Sequence, residues 1–200
     1  MKKAVVLVIL FVLISLPVSA QGFYFDIGLG FGKGWTKVEG VDMVDALNDA
    51  GAGADEIAVD IGLKAGYGPF GNIPLYVVGE LAGMGHRIYD SSNYIQFSSY
   101  IIGPGVIFYP IPLIQLGLSA GYSFVSNKTD MPMTMYDSKS GFAWNVSAAV
   151  DLGRRNHGCL IGLKYFNANN TLKTSNADEK ASMVSIFIKY AYRKKAPSLF

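Results

Sequence analysis

Two hundred residues allow one domain, with a single core or a single closed sheet. Half of them are hydrophobic and only 16% are charged, against about 25% in an average soluble domain, while a scattered net charge of +2 excludes the clustered basic stripe of a nucleic-acid binder. The single cysteine, Cys159, excludes a disulfide scaffold and a Cys-based zinc site, and 23 Gly, 12 Tyr and 12 Phe favour extended over helical structure.

The chain opens with Lys2 and Lys3, an apolar run from Ala4 to Ile14, then Pro17 and Val18-Ser19-Ala20. That is the pattern of a cleavable secretory signal over residues 1–20, too short for a membrane anchor of about 20 apolar residues. Period-2 alternation follows, which marks strands with two unlike faces. The first predicted strand sets Phe23, Phe25, Ile27, Leu29 and Phe31 against Tyr24, Asp26, Gly28, Gly30 and Gly32. Residues 36–56 form an acidic connection with a short helix near 42–50. The second strand sets Ile57, Val59, Ile61, Leu63 and Tyr67 against Asp60, Lys64 and small residues, and the third sets Leu75, Val77 and Leu81 against Tyr76, Glu80 and His86.

Residues 91–127 carry no charge and would pass for membrane helix on hydropathy, but Gly103, Pro104, Gly105, Pro110 and Pro112 interrupt them. Each proline removes a backbone donor and costs a helix interior about 3 kcal/mol, so two strands turning at Tyr109-Pro110-Ile111-Pro112 are expected. In the fourth strand Ile95 and Phe97 set a phase that a bulge at Pro104 is expected to shift, turning Val106 and Phe108 outward. The fifth sets Leu116, Leu118, Tyr122 and Phe124 against Gln115, Ser119 and Ser123. The sixth sets Phe142, Trp144, Val146 and Val150 against Asn145, Ser147 and Asp151. The seventh sets Cys159, Ile161, Leu163 and Tyr165 against Lys164, and the eighth sets Val184, Ile186, Ile188, Tyr190 and Tyr192 against Ser185 and Lys189.

The second face of these strands holds Gly, Ser and a few charges, where a soluble sandwich would expose Lys, Glu and Thr. Small residues suit a cramped interior. Unbroken aliphatic and aromatic faces suit lipid, where a midplane Lys or Arg costs about 2–4 kcal/mol. A membrane-spanning sheet must close, because an open edge leaves backbone groups unsatisfied. The expected fold is all-β, an eight-stranded antiparallel up-and-down transmembrane barrel over residues 21–192, with a tail at 193–200. Short connections (68–74, 109–112, 153–158) alternate with longer ones (36–56, 87–94, 126–140, 167–181), as periplasmic turns alternate with outer loops. Aromatic girdles are expected from Phe23, Tyr67, Tyr109, Tyr190 and Tyr192 on the turn side, and from Trp35, Phe97, Phe124, Phe142 and Tyr165 on the loop side.

In this architecture the chain resembles the small eight-stranded outer-membrane barrels, the group of OmpX, OmpW, the opacity proteins and the transmembrane half of OmpA. The alternating Tyr190 and Tyr192 resemble the closing aromatics that the outer-membrane insertion machinery reads in such barrels, although here a tail ending in Phe200 follows them. The resemblance implies a bacterial outer-membrane location, with outer-membrane lipid, the insertion machinery and an extracellular ligand or host molecule as partners, and no nucleic acid.

Candidate functional residues fall in two places. Facing inward are four acids, Asp26, Asp60, Glu80 and Asp151, and three bases, Lys64, Lys164 and Lys189. Buried charges persist only when paired, so Asp26 is expected to bridge Lys64 and Lys189, with Glu80 beyond Lys64, as a plug. Val78, Met84, Phe166 and Phe187 also face inward, and the glycines from Gly28 to Gly34 leave room for Phe166 and Phe187. The second place is the third long loop, where Met131, Met133 and Met135 offer an apolar contact surface. No catalytic, metal or cofactor site is expected: His86 and His157 lie on opposite sides of the membrane, and no serine stands at a useful spacing from His86. The spacing of the acids from Glu39 to Glu56 matches no EF-hand. The reading is a barrel with a largely closed lumen that displays surface loops for structural, adhesion or interaction roles. The alternative is an OmpW-like narrow channel or binding barrel for small, mostly apolar molecules, and a lipid A-modifying enzyme is a distant third.

Overall fold

The computed structural model describes residues 20–51, 53–90, 93–130, 138–153, 156–173 and 176–193. Eight long strands follow one another: β1 (Ala20–Val38), β2 (Asp55–Phe70), β3 (Leu75–Tyr89), β4 (Tyr94–Ile111), β5 (Ile114–Val125), β6 (Ser138–Asp151), β7 (His157–Leu172) and β8 (Asp178–Arg193). Each pairs antiparallel with its sequence neighbour, and β8 returns to pair with β1 over Tyr24–Val38 and Glu179–Arg193, so the sheet closes. Two 2-residue strands, Val41–Asp42 against β1 and Lys128–Thr129 against β4, extend the wall at the loop end. The one helix, α1 (Met43–Asp49), lies in the first outer connection, where the Asp42 side chain accepts from Val44 N. Residues 1–19, the tail 194–200 and the loop residues Met131, Met133 and Met135 lie outside the described residues.

The alternation sorts the side chains as polarity demands. Ile27, Leu29, Phe31, Ile61, Leu118, Leu163 and Ile186 stand on the outside, the last 65% exposed. Asp26, Asp60, Lys64, Glu80, Asp151, Lys164 and Lys189 point inward, and each is at most 3% accessible. Such an inside-out distribution would be untenable in water. It fits hydrocarbon outside and polar partners inside. No helix among the described residues is long and apolar enough to cross a membrane.

Several expectations are corrected. The fourth strand has no bulge at Pro104: Ile95, Phe97, Ile101, Ile107 and Tyr109 all point inward, while Ile102, Val106 and Phe108 point out, in one unbroken phase. The register on β5 shifts only between Phe108 and Ile111, at Pro110, where the strand turns. Phe97 and Tyr109 therefore belong to the interior and not to the girdles. Two predicted outer loops are largely wall, since β3 and β4 leave only residues 90–93 between them and β7 and β8 leave 173–177. On β7 the outward series runs Ile161, Leu163, Tyr165, then Asn167 and Asn169. Polarity changes at Tyr165 while the ladder continues, because backbone pairing is indifferent to what the outer face meets. The barrel thus stands above its apolar belt. Arg193, expected in the tail, is the last residue of β8 and is buried.

A closed ladder of this kind has no free edge from which detergent can unzip it. The refolded chain is expected to run at a different gel position before and after boiling, with a β-type circular-dichroism spectrum. A mobility insensitive to heat would contradict the closure of β8 on β1.

Candidate functional site

The interior is built in layers. At the turn end, Gln115 Nε2 donates to the hydroxyls of Tyr24 and Tyr109, each at 2.8 Å; Tyr24 donates to Asp26 Oδ2 at 2.8 Å and Tyr109 to Asp151 Oδ2 at 3.0 Å. Lys189 Nζ reaches Asp26 Oδ1 at 3.2 Å, and Arg193 pairs with Asp151, whose other oxygen accepts from Gly153 N at 2.8 Å. Asp26 therefore does not bridge to Lys64. Its second oxygen is taken by Tyr24, and Lys64 turns to the residue opposite it on β3, Glu80, at 3.4 Å. Asn145 Nδ2 donates to the same Glu80 oxygen at 3.1 Å.

One layer higher, Asp60 accepts from Lys164 Nζ at 2.8 Å and from the Ser185 hydroxyl. Asp60 is on β2, and its partners are on β7 and β8, so the carboxylate must pass over β1. Gly30 permits this: a Cβ there would stand 2.7 Å from Asp60 Oδ2. Gly28 and Gly62, opposite one another, form a similar floor beneath the Lys189 side chain. The glycines of β1 thus make way for Lys189 and Asp60, and Gly34 for His86, whereas the sequence reading assigned the space to Phe166 and Phe187. With Arg193 these layers hold four acids and four bases, every acid paired with a base; a fifth buried acid, Glu179 near the outer end of β8, accepts from Asn127 Nδ2 at 2.7 Å. Arg193 was legible in principle, since it continues the inward period from Lys189 through Ala191.

Above the ions lies an apolar layer including Met84, Ile101, Phe166 and Met183. Val78 packs lower, with Tyr24, Tyr76 and Tyr109, and Phe187 with Leu160. At the outer mouth Ile88, Ile95 and Phe97 form a cluster against which Val38, Met43, Val44, Leu47 and Ala54 pack, so α1 caps the opening with its apolar face. Beside it, Thr36 Oγ1 lies 3.0 Å from His86 Nδ1, and His86 Nε2 lies 2.7 Å from Glu56 Oε2, while the other oxygen of Glu56 meets Lys33. This hydroxyl, imidazole and carboxylate series escaped the sequence reading because its members are 50 and 30 residues apart. A nucleophile must reach a substrate carbonyl, yet Thr36 and His86 are both fully buried. The series ties β1, β2 and β3 together below the cap. Asp42 caps α1 and Glu56 serves His86, and no group of three or more His, Cys, Asp or Glu among the described residues could hold a metal ion.

No protein-family model matches the chain, and no curated protein matches it. Among solved structures, it is similar to Ail, the attachment invasion locus protein of Yersinia pestis in complex with the heparin analogue sucrose octasulfate, at 17% identity and a TM-score of 0.50, covering 86% of this chain and 99% of that one. It is similar to neisserial surface protein A at 16% identity and a TM-score of 0.50, covering 84% and 95%. The fold is that of the small eight-stranded outer-membrane barrels.

Proposed function

We propose that the chain is an integral barrel of the bacterial outer membrane, exported by residues 1–20, that presents its outer wall and loops for structural, adhesion or interaction roles while its lumen stays shut. The observation that carries this reading is the interior itself. Eight charged side chains at most 3% accessible leave no water-sized path along them, and eight strands enclose a space that side chains can fill. Ion conduction would require breaking several buried pairs at once, each costly to open.

The loop surface is where contact with other molecules is expected, including the segment of Met131, Met133 and Met135. Sucrose octasulfate, a polyanion held by Ail, is a poor guide here. The first outer connection carries Glu39, Asp42, Asp45 and Asp49, which would repel it. No catalytic step is proposed, because the Thr36–His86–Glu56 series is closed to substrate.

The deciding experiment is planar-bilayer recording of the refolded protein. No steady single-channel current is expected at moderate voltage. Steady currents in the wild type, reduced by deletion of residues 131–135, would replace this reading with the narrow conduit for small apolar molecules.

A further inference from the structure

One stretch of the outer wall departs from the apolar rule. On β3 the outward positions are Leu81, Gly83, Gly85 and Arg87; on β4, opposite them, they are Ile102, Tyr100, Ser98 and Gln96. Two successive glycines remove the side chains that elsewhere cover the wall, and a groove of about 380 Å³ results. Leu29, Phe31, Val59 and Ile61 line one side of it, and Gln96, Ser98 and Tyr100 line the other. The Tyr100 ring lies over Gly83 and stacks on Phe124, with ring centroids 5.0 Å apart, so the lower end is walled by aromatics.

The upper end is polar. Arg87 donates from Nε and Nη2 to Gln96 Oε1, at 3.1 and 2.6 Å, and its guanidinium lies over the Tyr94 ring. Gln96 in turn donates from Nε2 to Ser98 Oγ at 3.1 Å. Ser98 thus accepts from the glutamine, and its own hydroxyl proton is left to donate. Arg87, Gln96 and Lys128 stand in one register line across three neighbouring strands. Paired residues of an antiparallel ladder share a face, so the two cations flank Gln96 on the outer wall, roughly 10 Å apart at about 4.8 Å per strand. The carboxylates at this rim are turned to backbone: Asp90 accepts from Asn93 N and Asp130 from Tyr94 N, both at 2.7 Å.

An apolar groove inside a lipid-facing belt is filled by lipid. A row of donors leading from the rim into that groove selects which lipid, because donors on a hydrocarbon-facing wall are costly without acceptors. We infer that the groove holds one phosphorylated lipid of the outer leaflet. An acyl chain lies over Gly85, its linkage oxygen accepts from Ser98, and its phosphate sits between Arg87 and Lys128. Arginine suits the role, since its planar fork binds phosphate oxygens in pairs. The inference rests on the outer-membrane reading, and it adds a named lipid site to it.

The test uses the refolded protein in detergent, with lipid A, a phosphorylated and acylated diglucosamine, and its dephosphorylated form as probes, read by native mass spectrometry. The wild type is expected to retain one phosphorylated lipid at least about tenfold better than the dephosphorylated one, a difference of about 1.4 kcal/mol. Gly85→Leu fills the groove without disturbing the fold, because a Cβ there meets Val59 Cγ2 at 3.6 Å and Ser98 Oγ at 4.0 Å, which is ordinary contact. It should abolish retention of both lipids. Arg87→Gln should abolish only the preference for phosphate, and Leu163→Met on β7, across the barrel, should change neither. Equal retention by the wild type and Gly85→Leu, or no preference for phosphate in the wild type, would overturn the inference while a heat-sensitive gel mobility left the barrel reading intact. A chain that formed no such barrel would overturn both.

Discussion

Asp60→Ala is expected to destabilise the barrel by about 3–5 kcal/mol, the cost of leaving one partner of a buried ion pair uncompensated. Lys164 would lose the carboxylate it pairs with, and Ser185 would lose the acceptor of its hydroxyl, in a layer where neither side chain is more than 2% accessible. Water cannot take the vacated place easily, because Phe166 and Met84 close the layer above and the Lys64–Glu80 pair lies below. Urea titration of the protein refolded into lipid vesicles measures the effect. The companion variant Asp60→Leu with Lys164→Met removes both charges at similar volume, and it should recover most of the loss. If the two single substitutions added without coupling in that cycle, the pair would not be holding β2 to β7.

Gly28→Val is expected to prevent closure altogether. Gly28 is opposite Lys189 on the seam where the last strand meets the first, and a Cβ at that position would stand 2.2 Å from the Ile188 carbonyl oxygen and 2.4 Å from Lys189 Cγ. The lysine stem could move, but only by leaving Asp26. The backbone oxygen could move only by opening the β1–β8 ladder. Overpacking costs about 1–3 kcal/mol and occasionally more, and here it falls on the one pairing that joins distant ends of the sequence. Refolding yield, read as the heat-sensitive gel band, should fall to near nothing. By contrast Gly79→Ala, whose added Cβ meets nothing nearer than Ala65 O at 3.9 Å, should refold as the wild type does. Equal yields for Gly28→Val and the wild type would mean that the seam is looser than its register implies.

The two substitutions act on different features and should be separable. Asp60→Ala leaves the ladder intact and should shift the urea midpoint of a barrel that still forms. Gly28→Val acts on the ladder itself, so it should leave little barrel to titrate.

The strand count and, outside the fourth strand, the inward and outward faces were legible in the sequence, because a period of two is a local property that each strand carries by itself; closure was expected only by way of the lipid that the outer face implies. The membrane assignment followed from the same pattern, since Leu163 and Ile186 are compatible with only one kind of surroundings in such numbers. The identity of seven lumen charges was legible for this reason too. Their partners were legible only in part: Asp26 with Lys189 and Lys64 with Glu80 were expected, whereas Asp60 meeting Lys164 across 104 residues and Asp151 meeting Arg193 were not, and Asp26 spends its second oxygen on Tyr24 instead of Lys64. Those meetings depend on strand register and on which acceptor a tyrosine has already taken, and neither is a property of a local segment. Wall height was also hidden. Asn167 and Asn169 read as loop because outward polarity was taken for the end of the strand, whereas it marks the end of the hydrocarbon. Arg193 was placed in the tail although its period was correct, since nothing local shows that a last strand extends until its charge finds Asp151. Sequence periodicity determined the barrel and its solvent. Only closure of the sheet, which brings strands far apart in the chain over glycine gaps to a common interior, decided which charge answers which.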